Sequence, residues 1–347
     1  MATAALPPYH CPTMTRCVVT GGCGFIGSNL VRMLLAEEPA ARVTVLDAFT
    51  YAGDLRNLAD VAADARLEVV QGNVNDEAVL GEVLSGADAV YHLAAESHND
   101  RAVTDPWTTW RANADGTMRV LLAARDAGVR RLLYMSTDEV YGESEADEAF
   151  RETDPLNPRG PYPASKAAAD RLARAFHVTY GLPVVIARPT NNYGPYQFPE
   201  KLLPVMVHRA LHDRPLPLYG RGQQVRDFLH VEDCCRALVL LMDRGEPGEA
   251  YNVPGENEHE NLEVARAILA ELGKPDSLIH FVKDRPGHDV RYLVDGAKIR
   301  ALGWEPRTPW AEGLRGTIRW YVEHRDWLEY MLGKGKEFLD RWYAERA

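Results

Sequence analysis

The most constraining feature is a glycine cluster set between a strand-like run and a helix-like run. Cys17-Val18-Val19-Thr20 stops at Gly21-Gly22-Cys23-Gly24-Phe25-Ile26-Gly27, and Ile26 to Glu37 continues with apolar residues at helical spacing. Gly22, Gly24 and Gly27 satisfy G-x-G-x-x-G, and Gly21, Gly24 and Gly27 a looser seven-residue variant. Glycine lets the chain turn tightly after a strand and brings backbone N–H groups at a helix N-terminus close to a pyrophosphate. The pattern alone is weak, because glycine-rich turns are common. Its context is discriminating: Arg42 to Leu46 reads as the next strand and ends on Asp47, 20 positions beyond Gly27. A carboxylate there binds both ribose hydroxyls of an adenosine and repels a 2′-phosphate, which points to NAD rather than NADP.

Further strands are read at Leu67–Gln71, Ala89–Leu93, Arg131–Met135 and Val184–Ala187, with helices over Glu77–Leu84, Asn113–Ala127 and Ala164–Tyr180. Strands alternating with helices predict an α/β fold, a Rossmann-type doubly wound parallel sheet, and β-branched strands suit burial from both sides. After Arg188 the rhythm breaks. Pro189, Pro195, Pro199, Pro204, Pro215 and Pro217 punctuate the following stretch, as expected for shaped loops. The expected division is 15–190 for the dinucleotide, with a returning segment at about 224–250 in which Phe228 to Met242 reads as a strand end and a helix. Residues 191–223 and 251–317 form a smaller, partly interleaved substrate-binding domain, and 318–347 a helical tail in which tryptophans serve packing, as does Trp310 just before it.

The 347 residues are 46% hydrophobic and 26% charged, an ordinary soluble balance, and the net charge of −11 argues against nucleic acid as a partner. No apolar run approaches the roughly 20 residues of a membrane span. Met1 to Thr15 carries three prolines and no basic start followed by an apolar core, so it reads as a frayed extension rather than a secretory signal, with the fold beginning near Met14. Five cysteines without a CxxC pair imply free thiols in a reducing cytoplasm, neither disulfides nor zinc. The histidines, His92 and His98 among them, are scattered without an HExxH, so no metal is expected and they read as hydrogen-bonded polar groups.

Two constellations carry chemistry. Tyr162 and Lys166 stand four apart on one helical face. A phenol with an ordinary pKa near 10 becomes a useful base when an ammonium and a cationic nicotinamide favour its phenolate. A Tyr-x-x-x-Lys match is often only a surface pair. Here it follows a dinucleotide motif and Ser136 at the end of the fifth strand. Ser136-Thr137-Asp138-Glu139-Val140-Tyr141-Gly142 occupies a loop at the carboxyl end of that strand, where open α/β sheets bind ligands. Two adjacent acids in such a loop are ordinarily just solvated, but an elimination requires both an acid and a base.

These motifs, with Ala94-Ala95-Glu96-Ser97-His98-Asn99-Asp100-Arg101, Arg188 to Tyr196, Pro199 to Pro204, Pro217 to Gly220, Gln224 to Phe228, Tyr251-Asn252-Val253 and Arg285 to Asp289, resemble the extended short-chain dehydrogenases/reductases that act on nucleotide sugars. The Asp138-Glu139 pair is similar to that of the 4,6-dehydratases, those acting on dTDP-glucose above all. The likeness runs from about Cys17 to about Tyr321. It implies NAD contacts from Gly21, Gly24, Phe25, Ile26, Gly27, Asp47, Thr50, Asn73, Val74, Leu93, Ala95, Ser136, Tyr162, Lys166 and Asn192. It implies nucleotide-sugar contacts from Ser97, Thr137, Asn191, Lys201, Leu202, Pro217, Tyr219, Arg226, Asn261, Arg285 and His288, the cations suiting a diphosphate. The implied catalytic set is Thr137, Asp138, Glu139, Tyr162 and Lys166, giving a cytoplasmic lyase that oxidises carbon 4, removes water across carbons 5 and 6, and reduces carbon 6. A homodimer joined by a four-helix contact of 113–127 and 164–180 is implied as well. Asn99 stands where the family usually has Val, Ala112 where it has Thr, and Asn73-Val74 where it has Asp and an aliphatic residue. A UDP-, GDP- or CDP-sugar dehydratase, an epimerase or decarboxylase, and a non-catalytic NAD-binding protein are the competing readings.

Overall fold

The structure is a computed structural model and describes residues 14–144, 148–284 and 287–344. The strands are β1 (Arg16–Thr20), β2 (Arg42–Asp47), β3 (Leu67–Gln71), β4 (Ala89–His92), β5 (Arg131–Met135), β6 (Val184–Pro189), β7 (Asn191–Tyr193), β8 (Leu216–Tyr219), β9 (Val225–His230), β10 (Ala250–Val253), β11 (Glu258–Glu260) and β12 (Ile279–Val282). Seven of them form a parallel sheet in the order β10-β6-β5-β4-β1-β2-β3. The chain winds one way through β1, β2 and β3, then the other way through β4, β5, β6 and β10. The winding reverses between β1 and β4, the switch point where doubly wound sheets open a ligand crevice. The glycine cluster follows β1 there.

Helices α1 (Phe25–Glu37), α2 (Glu77–Leu84), α3 (Asn99–Thr104), α4 (Pro106–Trp110), α5 (Gly116–Asp126) and α6 (Pro161–Tyr180) lie in the first half of the chain. The second half holds α7 (Leu202–Leu211), α8 (Val231–Arg244), α9 (Asn261–Glu271), α10 (Ala297–Arg300), α11 (Trp310–Glu323) and α12 (Arg325–Ala344). Alternation along the strands separates two cores. Val19, Val45 and Leu133 pack with Leu30 and Leu34 of α1 and Leu238 and Leu241 of α8 on one face. Val18, Val90 and Leu132 pack with Leu80, Leu121 and Ala173 of α2, α5 and α6 on the other. Each fully buried leucine contributes about 1.5–3 kcal/mol of transfer free energy, so this two-sided burial holds the site's floor rigid. β3, at the edge, is only partly covered.

The strand that returns to the large sheet is β10. β9 instead joins β7 and β11 in a three-stranded sheet, and β8 pairs with β12. A third core, with Leu203, Met206, Phe228, Val264, Ile268, Ile318, Tyr321 and Met331, ties these small sheets to α7, α9, α11 and α12. The tryptophans pack as expected, Trp310 against Phe228 at 4.8 Å and Trp320 against Trp327 at 5.1 Å between ring centroids. The helix read over 113–127 has a longer lead-in. Asp105 caps α4 by accepting from Thr108 N, Pro106 takes the first helical position, and a wide π turn at Arg111–Asp115 feeds α5. Trp and Thr are modest helix formers, so caps rather than propensity hold this stretch. α6 begins at Pro161, three residues before the expected Ala164, and ends at Gly181, whose φ of +69° supplies a left-handed cap.

Candidate active site

The glycine turn is dictated by close approach. Gly21 has φ +72° and donates to the Leu46 carbonyl at 2.8 Å, and a Cβ on Gly27 would fall 2.2 Å from the Gly21 oxygen. Only glycine fits there, which leaves α1 starting against the turn. Asp47, at the tip of β2, accepts from Cys23 N and Phe49 N, both at 2.9 Å. Burial pushes its carboxyl pKa up, and these two N–H bonds offset only part of that rise. A cavity of about 420 Å³ opens above this floor, and its wall includes Gly21, Gly24, Phe25, Ile26, Gly27, Asp47, Thr50, Asn73, Val74, Leu93, Ala95, Ser136, Tyr162 and Lys166. The glycine cradle, the buried aspartate at a strand end and the cavity they share fit an NAD. Of the positions expected to touch the cofactor, Asn192 alone stays off this wall; its amide donates to the Thr190 carbonyl at 3.0 Å.

Beyond β5 the chain makes one 3-10 turn over Asp138–Tyr141, capped by Thr137. Thr137 Oγ1 donates to Asp138 Oδ1 at 3.1 Å and accepts from Glu139 N at 3.4 Å, so the hydroxyl fixes both acids. Asp138 is 2% exposed and its Oδ2 has no partner. Burial first, and the neighbouring Glu139 second, push its pKa up to about 8. Asn99, at the start of α3, donates from Nδ2 to both Glu139 oxygens, at 3.3 and 3.0 Å. One carboxyl therefore keeps its proton at neutral pH while its neighbour is clasped by an amide donor. Environments that divide two adjacent carboxyls in this way are suited to an acid and a base.

Tyr162 and Lys166 line the same cavity from α6. Lys166 Nζ donates to the Met135 carbonyl at 2.5 Å and lies 4.5 Å from the Tyr134 ring centroid, and burial lowers its pKa to about 7. The Tyr162 phenol is pushed up rather than down, by burial and then by Glu139 and Asp138. The chain's own groups thus leave Tyr162 protonated, and a cation bound against it is needed to make it a base.

Sequence reasoning missed the frame that holds these residues. Arg188 makes a two-pronged pair with Asp170 at 2.8 and 2.9 Å and donates to the Tyr141 hydroxyl at 2.6 Å, which in turn donates to Asn252 Oδ1 at 2.8 Å. Burial works to lower the Arg188 pKa, and its bonds and charge attraction to Asp170, with help from Tyr141, more than offset this and leave it raised. This chain of bonds joins α6, the acid-bearing turn, β6 and β10. Asn113, in the π turn, donates to the Glu96 carbonyl and to Ser165 Oγ, both at 2.9 Å, and Ser165 donates to the Tyr162 carbonyl at 2.7 Å. Asp170 lies four residues past Lys166 on the same helical face, a signal that was legible. His92 is bonded through both ring nitrogens, to Thr20 at 2.7 Å and Thr117 at 3.0 Å. His98 is only half satisfied: Nε2 donates to the Glu200 carbonyl at 3.2 Å, and Nδ1 has no partner.

The residues expected to hold the sugar nucleotide divide into two groups. Ser97 and Lys201 share the cavity wall. Leu202 opens α7, Pro217 and Tyr219 lie on β8, Arg226 on β9 and Asn191 on β7, with Asn261 opening α9. Tyr219 and His288 rings meet edge to face at 5.8 Å, and His288 Nδ1 bonds Asp284 at 2.7 Å. Arg226 donates to the Asp289 and Val290 carbonyls at 2.9 and 3.1 Å. The buried amide oxygens of Asn191 and Asn261 have no partner, as expected of groups that await a ligand. α3 ties the two groups together, with Asn99 on Glu139 and Asp100 accepting from the Tyr219 hydroxyl at 2.8 Å. Arg285 lies outside the described residues.

Residues 17–254 match the family described as NAD dependent epimerase/dehydratase. A dTDP-glucose 4,6-dehydratase of Neisseria meningitidis serogroup B is 46% identical, over 94% of this chain and 99% of that one. The crystal structure of a dTDP-glucose 4,6-dehydratase from Streptomyces venezuelae, with NAD bound, superposes with a TM-score of 0.89 at 48% identity, over 91% of this chain and 99% of that one. A Thermus thermophilus UDP-glucose 4-epimerase in complex with NAD gives a TM-score of 0.83 at 31% identity, over 89% and 99%. The dehydratases are therefore nearer than the epimerase in both sequence and shape. Together with the glycine turn, the strand-end aspartate and the Tyr162–Lys166 helix, these likenesses show that the chain belongs to the NAD dependent epimerase/dehydratase family.

Proposed function

We propose that this protein converts dTDP-glucose to dTDP-4-keto-6-deoxyglucose, as an NAD-dependent hydro-lyase. The observation that carries this reading is the Asp138–Glu139 pair beside Tyr162, one acid held protonated by burial and the other bound by Asn99. An epimerase working by hydride transfer alone leaves both without a task. The residues assigned to NAD are Gly21, Gly24, Phe25, Ile26, Gly27, Asp47, Thr50, Asn73, Val74, Leu93, Ala95, Ser136, Tyr162, Lys166 and Asn192; bound NAD would supply the hydride acceptor at carbon 4 and the hydride returned to carbon 6. Thr137 holds the 4-hydroxyl, and Tyr162, kept basic by Lys166 together with the positive charge that bound NAD⁺ would supply, takes its proton. Once carbon 4 is a ketone, Glu139 removes the proton from carbon 5 and Asp138 protonates the departing 6-hydroxyl, which leaves as water. Glu139 returns its proton to carbon 5 as carbon 6 is reduced. The proton left on Tyr162 replaces, in net, the one given up by Asp138.

In this reading 15–190, with α8 and β10 returning to the large sheet, carry the cofactor, and 191–223 with the rest of 251–317 carry the nucleotide sugar together with β9, the first part of the segment expected at 224–250 to return. Support comes from the seven-stranded sheet under the cavity and from the separate core beneath β8 and β9. Lys201, Arg226 and Arg285 are assigned to the diphosphate and Tyr219 to the base. A homodimer through the helices of 113–127 and 164–180 is part of the proposal, supported by exposed Trp107, Trp110, Val178 and Tyr180 on α4 and α6. Among the described residues no helix is long and apolar enough to cross a membrane. A cytoplasmic setting is supported by four buried free cysteines, Cys17, Cys23, Cys234 and Cys235; Cys11 lies outside the described residues. The test is incubation with dTDP-glucose and, separately, UDP-glucose, followed by alkali-induced absorbance of a 4-keto sugar. Product from dTDP-glucose is expected; product from UDP-glucose alone overturns the base assignment, and none from either overturns the reaction.

A further inference from the structure

The fold creates a second polar cluster that neither the cofactor cavity nor the proposed reaction uses. His208 and His212 are four apart on α7, so their rings share one face, with centroids 4.5 Å apart. α12 lays Glu329 across them. His208 Nε2 lies 3.1 Å and His212 Nε2 3.2 Å from the same Glu329 Oε1.

His212 Nδ1 sits 2.9 Å from the His208 carbonyl oxygen, a contact that requires Nδ1 to carry a proton. A neutral imidazole has a single N–H. The Nε2 lone pair of neutral His212 therefore faces a carboxylate oxygen, and two acceptors at that distance repel unless a proton or a cation lies between them. A tetrahedral ion with bonds of roughly 2.0–2.1 Å spaces its ligand atoms about 3.3 Å apart, close to both contacts to Glu329. An Nδ1–H donated to a backbone carbonyl is also the bond that usually orients a metal-ligating histidine.

We propose that His208, His212 and Glu329 bind one divalent transition ion of the zinc class, which staples α12 to α7. Two imidazoles and one carboxylate favour zinc, cobalt, nickel or copper over magnesium or calcium, which prefer oxygen cages. Water completes the coordination. The ion's task is structural, because none of its ligands lines the cofactor cavity. Further along α12, Lys334 donates to Gly53 O and Asp54 Oδ2, both at 3.0 Å, beside the loop that follows Asp47. Fixing the first turns of α12 at Glu329 steadies that contact farther along the same helix.

The test uses the tag-free full chain, stripped with a chelator and then titrated with Zn²⁺ by calorimetry and with Co²⁺ by visible absorption. His212→Ala and Glu329→Gln change side chains that are 40% and 50% exposed, so each variant is expected to fold. One ion per chain, an intense four-coordinate cobalt spectrum and a zinc-dependent rise in melting temperature are expected of the parent. Each variant should lose at least about tenfold in affinity together with the thermal shift. Absence of saturable binding in the micromolar range, or equal binding by parent and both variants, overturns the site and leaves a protonated His212 as the explanation of the contact.

Discussion

The cofactor side and the sugar side of the cleft are built in different ways. The positions assigned to the cofactor sit mainly at consecutive strand ends of one parallel sheet, where Asp47 accepts from Cys23 N and Phe49 N while Ser136 Oγ and Asn192 Oδ1 are buried without partners. On the sugar side they come from β7, β8, β9 and the starts of α3, α7 and α9, and the amide oxygens of Asn191 and Asn261 are buried without partners. A preformed cradle suits a cofactor that stays through the whole cycle. A surface assembled from several separate elements suits a substrate that must bind and leave. The catalytic turn lies at their junction, tied to one side by Arg188 and to the other by Asn99.

The junction is where that contrast can be broken most decisively. Glu139→Gln should lower turnover by about 10²–10⁴-fold, the usual contribution of a general base. Reduced nicotinamide should still form on mixing with substrate, because carbon-4 oxidation does not use Glu139. Native turnover in this variant would remove Glu139 from the reaction. Next in size is Arg188→Met, which leaves Asp170 charged and unpaired in the core. Breaking such a pair typically costs about 3–5 kcal/mol, measurable by urea unfolding. A loss below about 1 kcal/mol, within the range of an exposed pair, would show that this frame is not what holds the catalytic turn.

The same contrast explains what could be read from the sequence. The large sheet and its glycine turn were legible because alternation, strand-end positions and glycine spacing are local, and each predicted strand falls within a residue or two of the observed one. The two acids and Tyr162 were legible as residue types, but their environment was not. That Asp138 keeps its proton and that Lys166 turns to Met135 depend on burial and on packing between distant elements. Asp170–Arg188 and Glu329 over the α7 histidines are joined across 18 and 121 residues, beyond any periodic signal. β9 and β10 exchange their expected roles for a similar reason. Both are short apolar runs, and only the pairing partner decides which one enters the large sheet.

A smaller effect concerns the proton on Asp138. Its folded pKa of about 8 lies above the ordinary carboxyl value, so folding takes up a proton between those limits. The stability this gives is complete in acid, declines as pH rises toward 8, and is gone above it. Asp138→Asn cannot ionise, so its melting temperature should gain on the parent from pH 5 to pH 8, by an amount worth roughly one to a few kcal/mol. Parallel pH profiles for the two proteins would place Asp138 in water rather than in a buried pocket.

The smallest expected change tests whether the sugar side tunes the catalytic turn at all. Asn99 donates to both oxygens of Glu139 from the start of α3, and the next residue, Asp100, holds Tyr219. Asn99→Val, the residue usual in the family, removes the donor at nearly constant volume. A hydrogen bond to a charged group contributes about 1.5–3 kcal/mol, which sets an upper bound of roughly ten- to a hundredfold on the loss in kcat, and water entering the gap should keep the observed loss near tenfold. If the loss arises from a misplaced base, incorporation of solvent deuterium at carbon 5 should slow while carbon-4 oxidation keeps its rate. A uniform fall in both steps, or an unchanged kcat with a raised KM, would mean that Asn99 supports the sugar-side wall and that the cofactor side fixes Glu139 alone.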